Sequence, residues 1–164
     1  MYKSFYKTPS CNIILVSDGE VLLGVYFENS NDTNKFNYEC ELKDNLPIFD
    51  TTRKWLDIYF SGEDPDFTPA YEIRNMTPFR SRVLDIVKTI PYGKTMTYKR
   101  IADIIAQEKG IAKMSAQAVG GAVGSNPICL IVPCHRVVGK NNKLVGYGGG
   151  IENKIMLLKH EKSI

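Results

Sequence analysis

The first third of the chain alternates short apolar, β-branched runs with polar breaks. CNIILVS (Cys11–Ser17) and VLLGVYFE (Val21–Glu28) flank Asp18-Gly19. A β-hairpin is expected there, because Asp-Gly accepts the backbone angles of a tight turn. The polar stretch NSNDTN that follows reads as loop. Beyond it the period changes: Trp55, Leu56, Tyr59 and Phe60 predict a helix that Thr51 or Thr52 would cap and Ser61-Gly62 would end. EDPDFTPAYEIRNMTP holds three prolines and no helical period, which predicts a long connection.

From Thr77 onward the pattern is helical. Phe79, Val83, Ile86, Val87 and Ile90 share a face until Ile90-Pro91-Tyr92-Gly93 stops the run. Thr97 is placed to cap a second helix with Tyr98, Ile101, Ala102 and Ile105 on its apolar side. MSAQAVGGAVGSNP predicts a third, built almost wholly of small residues, and IENKIMLLKHE a last one with Ile151, Ile155 and Leu158 on one face. Gly120 and Gly121 inside a helix each cost about 1 kcal/mol relative to Ala. Close approach of another backbone would justify that cost, whether a neighbouring helix or a nucleic acid. Two such helices in succession resemble a helix-turn-helix, although their connection exceeds the usual turn of about three or four residues.

Charge sharpens this picture. Residues 1–74 carry 7 Lys/Arg against 13 Asp/Glu and residues 75–164 carry 14 against 5, so an acidic half (−6) precedes a basic one (+9). Either the basic half meets a polyanion or it is an ordinary solvated surface. The expected organisation is an αβ domain with its connecting segment over 1–74 and a mostly helical domain over 75–164. No apolar run approaches the roughly 18 residues of a membrane span, and MYKSFYKTPSCN lacks the apolar stretch of a secretory signal. Four cysteines without a C-x-x-C pair make no disulfide scaffold, and a reducing cytoplasm is the expected compartment.

The candidate chemistry lies in IVPCHRVV (Ile131–Val138). Pro133 suits the first residue of a helical turn, which would put Cys134 at a helix N-terminus where amide dipoles favour a thiolate. His135 and Arg136 add positive charge. At this point an inert buried thiol and a reactive one both fit. A metal set of Cys129, Cys134, His135 and His160 fits poorly, since C-x4-C-H matches no common zinc pattern. A papain-like pair is also awkward, because neighbouring side chains diverge and His135 would reach Cys134 only through a water. An imidazole working at one remove needs a carboxylate to fix its tautomer, and Glu161 is a candidate.

VPCHRVV, with IPYGKTMTY and SAQAVGGAVGSNP before it and GYGGGIENKIMLLKHE after it, resembles the O6-alkylguanine-DNA alkyltransferases, also called methylated-DNA–protein-cysteine methyltransferases. The likeness runs almost continuously over about 76–161 and loosely through FDTTRKWLDIYFSGEDPDF. It implies a ribonuclease-H-like αβ domain followed by a mostly helical domain with a helix-turn-helix. It implies a single-turnover methyltransferase that takes an alkyl group from O6-alkylguanine, or O4-alkylthymine, in double-stranded DNA. No cofactor or metal is implied, nor any membrane, and the protein is expected to act as a monomer.

By the same resemblance Cys134 is the acceptor, His135 takes its proton through a water, and Glu161 orients the imidazole. Asn126 is the hinge asparagine, and Tyr98 donates to the leaving purine. Val137 and Gly148 read the guanine through backbone groups, and Tyr147 forms a pocket wall. Ser115, Ala116, Gln117, Ala118 and Gly120 are the small-residue helix that enters the minor groove, with Arg136 as a further DNA contact. Two departures stand out: Gln117 occupies a position where the family commonly has arginine, and Gly148 one where serine is frequent. Cys134 itself argues against a damage-binding module without transfer, and a fusion to a cysteine-rich zinc domain is not expected.

Overall fold

The computed structural model describes residues 1–36 and 39–164. They form two units. One comprises Met1–Arg74 with Pro127–Ile131 and Gly148–Gly150; the other comprises Asn75–Asn126, Val132–Tyr147 and Ile151–Ile164.

In the first unit the expected hairpin is β2 (Asn12–Ser17) against β3 (Leu22–Phe27), with Gly19 at φ +114° in the turn. Asp18 Oδ1 accepts from the amides of Glu20 and Val21 and so closes that turn locally. A further strand, β1 (Tyr2–Lys7), pairs antiparallel with β2, and the two-residue β4 (Glu41–Leu42) pairs parallel with β1, giving the order β3-β2-β1-β4. All six β3 residues are buried, so the strand is covered on both faces and shows no alternation. A Cβ on Gly24 would collide with the Phe36 ring, which instead stacks on Tyr26 at 4.7 Å.

The outer edge of β3 is closed by two single-residue parallel pairings. Leu22 bonds Ala70 and Glu72; Val25 bonds Pro127 and Cys129. These bonds are why 127–131, which the sequence reading left with the helical half, packs with the sheet: an open edge strand needs its amides and carbonyls satisfied. Helix α1 (Pro47–Phe60) packs on β1 through stacked Tyr6 and Phe60 and an Arg53–Ser4 hydrogen bond. It begins a full turn before the expected caps. Pro47 starts it, needing no amide partner, and the Thr51 and Thr52 hydroxyls bond back to the carbonyls of Pro47 and Ile48.

The second unit holds α2 (Pro78–Val87), α3 (Tyr98–Lys109), α4 (Ala116–Gly124) and α5 (Ile151–His160). Thr77, Thr97 and Ser115 cap the first three, each hydroxyl accepting the amide three residues on, and Gly110 at φ +65° ends α3 in the left-handed region. Helices α2, α3 and α4 pack together through Val83, Ile101, Val119 and Ala122. Two-residue strands β5 (Met96–Thr97) and β6 (Val137–Val138) pair in parallel, tying the start of α3 to the segment after Cys134.

Helix α5 departs from expectation. Ile151 is exposed and Ile155 half-buried, and the face turned inward carries Asn153, Lys154, Leu157 and Leu158. Lys154 on that face is buried because its ammonium finds carbonyl partners inside this unit, which apolar periodicity does not register. Among the described residues no helix is long and apolar enough to cross a membrane.

Candidate active site

The site is built around the turn that carries Cys134. Pro133 does not open a helix as expected. Its backbone (φ −81°, ψ 60°) centres an inverse γ-turn in which the Cys134 amide donates to Val132 O at 2.8 Å, and only a three-residue 3₁₀ turn, Cys134–Arg136, follows. Three peptide units make a negligible macrodipole, so a helix dipole does not activate this thiol. Asn126, at the end of α4, is 1% exposed; its Nδ2 donates to Val132 O (3.0 Å) and to Cys134 Sγ (3.2 Å). One buried amide therefore fixes both the turn and the sulfur, and an amide donor favours a sulfur bearing negative charge.

His135 and Glu161 meet as deeply. His135 is fully buried, and its Nε2 lies 2.7 Å from Glu161 Oε1. With Nε2–H donating to the carboxylate, Nδ1 is the acceptor nitrogen of the neutral ring. Burial pushes the imidazole pKa down; Glu161 opposes that, and the charges of Arg136 and Lys154 add to it. Burial alone would raise the Glu161 carboxyl, but hydrogen bonds from His135 and Arg136 and their charges hold it well below the usual carboxylate range. The pair rests as neutral imidazole beside carboxylate, which is the state of a base.

Arg136 is where the structure corrects the sequence most. Expected as a DNA contact, it is only 8% exposed and points inward. Its Nε donates to Glu161 Oε2 (3.0 Å), Nη2 to Oε1 (2.9 Å), and Nη1 to Ile90 O (2.8 Å). The Gly93 amide completes the cradle of Glu161 at 3.3 Å. The reason is electrostatic: a buried carboxylate that must stay ionised requires a buried cation, and the planar guanidinium matches both oxygens at once.

Tyr98 opens α3, and its hydroxyl lies 3.4 Å from the carbonyls of Val145 and Gly146. Burial, with a smaller contribution from Cys134, pushes its pKa up to about 12, so the phenol keeps its proton as a donor. Val137, in β6, is buried, and Tyr147 is half-buried. Gly148 belongs to the sheet-containing unit, where a Cβ would collide with the Asp32 carboxylate, itself paired with Lys35 at 2.7 Å. Of the metal set weighed from the sequence, Cys129 donates to Asp32 and His135 faces Glu161, and among the described residues no group of three or more His, Cys, Asp or Glu is placed to hold a metal ion. On α4, Ser115, Ala116, Gln117 and Ala118 are exposed. A Cβ on Gly121 or Gly124 would meet nothing, and one on Gly120 would lie at an ordinary 3.9 Å from the Tyr98 ring. The glycines therefore do not serve helix packing in this unit.

One residue escaped the sequence reading altogether. Lys154 is fully buried, and its Nζ donates to Val137 O at 2.6 Å and to Val145 O at 3.4 Å. It lies seven residues, about two helical turns, before Glu161, the only signal that could have revealed it.

Comparison with known proteins agrees with this geometry. Residues 78–163 match the model of the 6-O-methylguanine DNA methyltransferase DNA binding domain, and residues 1–71 match that of its ribonuclease-like domain. The chain is 36% identical over 162 residues to a methylated-DNA–protein-cysteine methyltransferase of Haemophilus influenzae, across 99% of this chain and 87% of that protein. It is 37% identical over 163 residues to the protein of the same name from Methanosarcina acetivorans, across 99% of both. The crystal structure of Mycobacterium tuberculosis OGT in complex with DNA aligns with a TM-score of 0.79 at 36% identity, across 99% of this chain and 94% of that one. Fold, site and likeness along nearly the whole length lead to one conclusion: this chain belongs to the 6-O-methylguanine DNA methyltransferase family, with a ribonuclease-like domain followed by a DNA-binding domain.

Proposed function

We propose that the protein repairs DNA by moving the alkyl group of O6-alkylguanine irreversibly onto Cys134, once per molecule. The observation that carries this reading is the buried arrangement in which His135 is braced by Glu161 at 2.7 Å while Asn126 holds the Cys134 sulfur at 3.2 Å. The thiol proton passes to Nδ1 of His135 through one water, and Glu161 stabilises the imidazolium that forms. The sulfur lone pair then forms the S–C bond to the alkyl carbon. The C–O6 bond breaks, and its electron pair leaves on the purine. The proton equivalent lost from sulfur ends on guanine, with Tyr98 donating to the base as charge builds. The thioether has no route back, so each molecule acts once.

A base inside a duplex cannot bring O6 to a buried sulfur, so the nucleotide is extruded at a cost of a few kcal/mol. Helices α3 and α4 act as a helix-turn-helix, with the exposed Ser115–Ala118 edge and the open glycines of α4 against the minor groove. Gln117 enters the vacated stack without the charge or the planar cation that arginine would supply. Val137 and Gly148 read the base through backbone groups and Tyr147 walls the pocket. The protein works as a monomer in the cytoplasm, without a metal or cofactor.

The test is to incubate the protein with a duplex containing O6-methylguanine and weigh it intact. The expected result is one methyl group replacing the thiol hydrogen, located on Cys134 by peptide mapping and absent in C134A. A wild-type protein that binds the lesion and gains no mass would overturn the proposal.

A further inference from the structure

Lys154 has no part in the steps above, yet it is fully buried. Its Nζ bonds two carbonyls, those of Val137 and Val145, and lies 5.8 Å from the ring centroids of Tyr98 and Tyr147. Carbonyl dipoles and ring faces soften the cost of a buried ammonium, but its net charge still calls for an anion. The charged and titratable groups around it come from every neighbouring element. Glu161, just past the end of its own helix, is engaged by Arg136 and His135. Tyr98, from α3, remains a neutral phenol. His135 is a neutral imidazole. Among the described residues Lys154 forms no ion pair with a carboxylate. Cys134 is the acidic group left to balance it: it lies three residues before Val137, whose carbonyl holds the ammonium, and with Arg136 paired to Glu161 a thiolate there offsets the lysine's charge.

We infer that Lys154 is a positioning residue whose ammonium is the counter-charge of the Cys134 thiolate, and that alkylation of the sulfur strands this charge inside the protein. The inference rests on Cys134 as the nucleophile. Burial already draws the Lys154 pKa down to about 8, with Cys134 as the opposing influence. A neutral thioether removes that opposition, so in the alkylated protein the ammonium either sheds its proton more easily or pulls water inward. The same charge explains how a thiol without a helix dipole becomes nucleophilic. The lysine also fixes the Val137 carbonyl, which keeps a second lone pair for a base.

The experiment uses iodoacetamide rather than alkylated DNA, in a full-length C11S/C40S background, with labelled lysine followed by NMR. In the unaltered site, Lys154 should titrate at lower pH once Cys134 is carboxamidomethylated; an unchanged titration overturns the inference without any need for a folded mutant. K154M should slow alkylation of Cys134 at pH 7 about tenfold and move its pH profile to the alkaline side, as loss of one nearby charge does to a thiol. K154R, which keeps the cation, should restore most of the rate. A folded K154M with the wild-type profile, or K154R no better than K154M, overturns it equally. Failure of alkyl transfer from O6-methylguanine would appear in the oligonucleotide experiment alone, so the two ideas fall separately.

Discussion

Replacing Arg136 with methionine separates a buried clamp from a DNA contact. The guanidinium makes three of its hydrogen bonds to Glu161 and one to the Ile90 carbonyl, and only 8% of the residue is exposed. Removing one partner of such a pair leaves the other charge buried, at a cost of about 3–5 kcal/mol. In a chain of 164 residues, each kcal/mol lowers Tm by about 2–4 °C, so calorimetry should show a fall of roughly 6–20 °C. R136K keeps the charge but lacks the fork, and should fall in between. Arg136 is also one of the charges that hold the His135 pKa down. Without it the imidazole keeps its proton to higher pH, and the acid limb of the alkyl-transfer rate moves to the alkaline side. Binding to an undamaged duplex should show the wild-type dependence on salt, because no phosphate contact has gone. Losing a phosphate contact would instead lower the log–log salt slope by about one. An unmoved Tm together with a slope reduced by one would refute the clamp and restore the DNA contact.

Glu161 is pulled to about 2 from an ordinary 4.5, so its stabilising contribution is complete above pH 4.5 and is lost as pH falls toward 2. E161Q should flatten that part of an acid unfolding curve; an unaltered curve would count against the pairing. Gly148→Ser pushes a side chain into the Asp32 carboxylate and should cost about 1–3 kcal/mol by overpacking. D32A should recover part of that loss in a double-mutant cycle, and strict additivity would argue against the contact. Tyr98→Phe should bind O6-methylguanine duplex normally while transferring the alkyl group about tenfold or more slowly in single-turnover quench assays; equal rates would remove Tyr98 from the chemistry. Gln117→Arg should tighten DNA binding at low salt, and no change in the salt titration would place residue 117 away from the duplex.

What the sequence determined alone was local. Asp18-Gly19 closes a hairpin because the Asp18 side chain bonds amides two and three residues on. Thr77, Thr97 and Ser115 start helices because each hydroxyl satisfies an amide three residues away. The PCHRV motif singled out Cys134, and the need of a remote imidazole for a carboxylate singled out Glu161. Tertiary structure decided the rest, because those choices depend on partners far along the chain. Pro133 bends into a γ-turn whose sulfur is held from Asn126, and 127–131 leaves the helical unit to satisfy β3. Arg136 turns inward because Glu161, 25 residues on, must remain ionised while buried. Lys154 lies where an apolar period would have put a leucine, because two carbonyls and two aromatic rings from other segments converge on it. Hydrophobic periodicity records which face of a helix is buried, but the desolvation of a charge is decided only by what the fold brings to meet it.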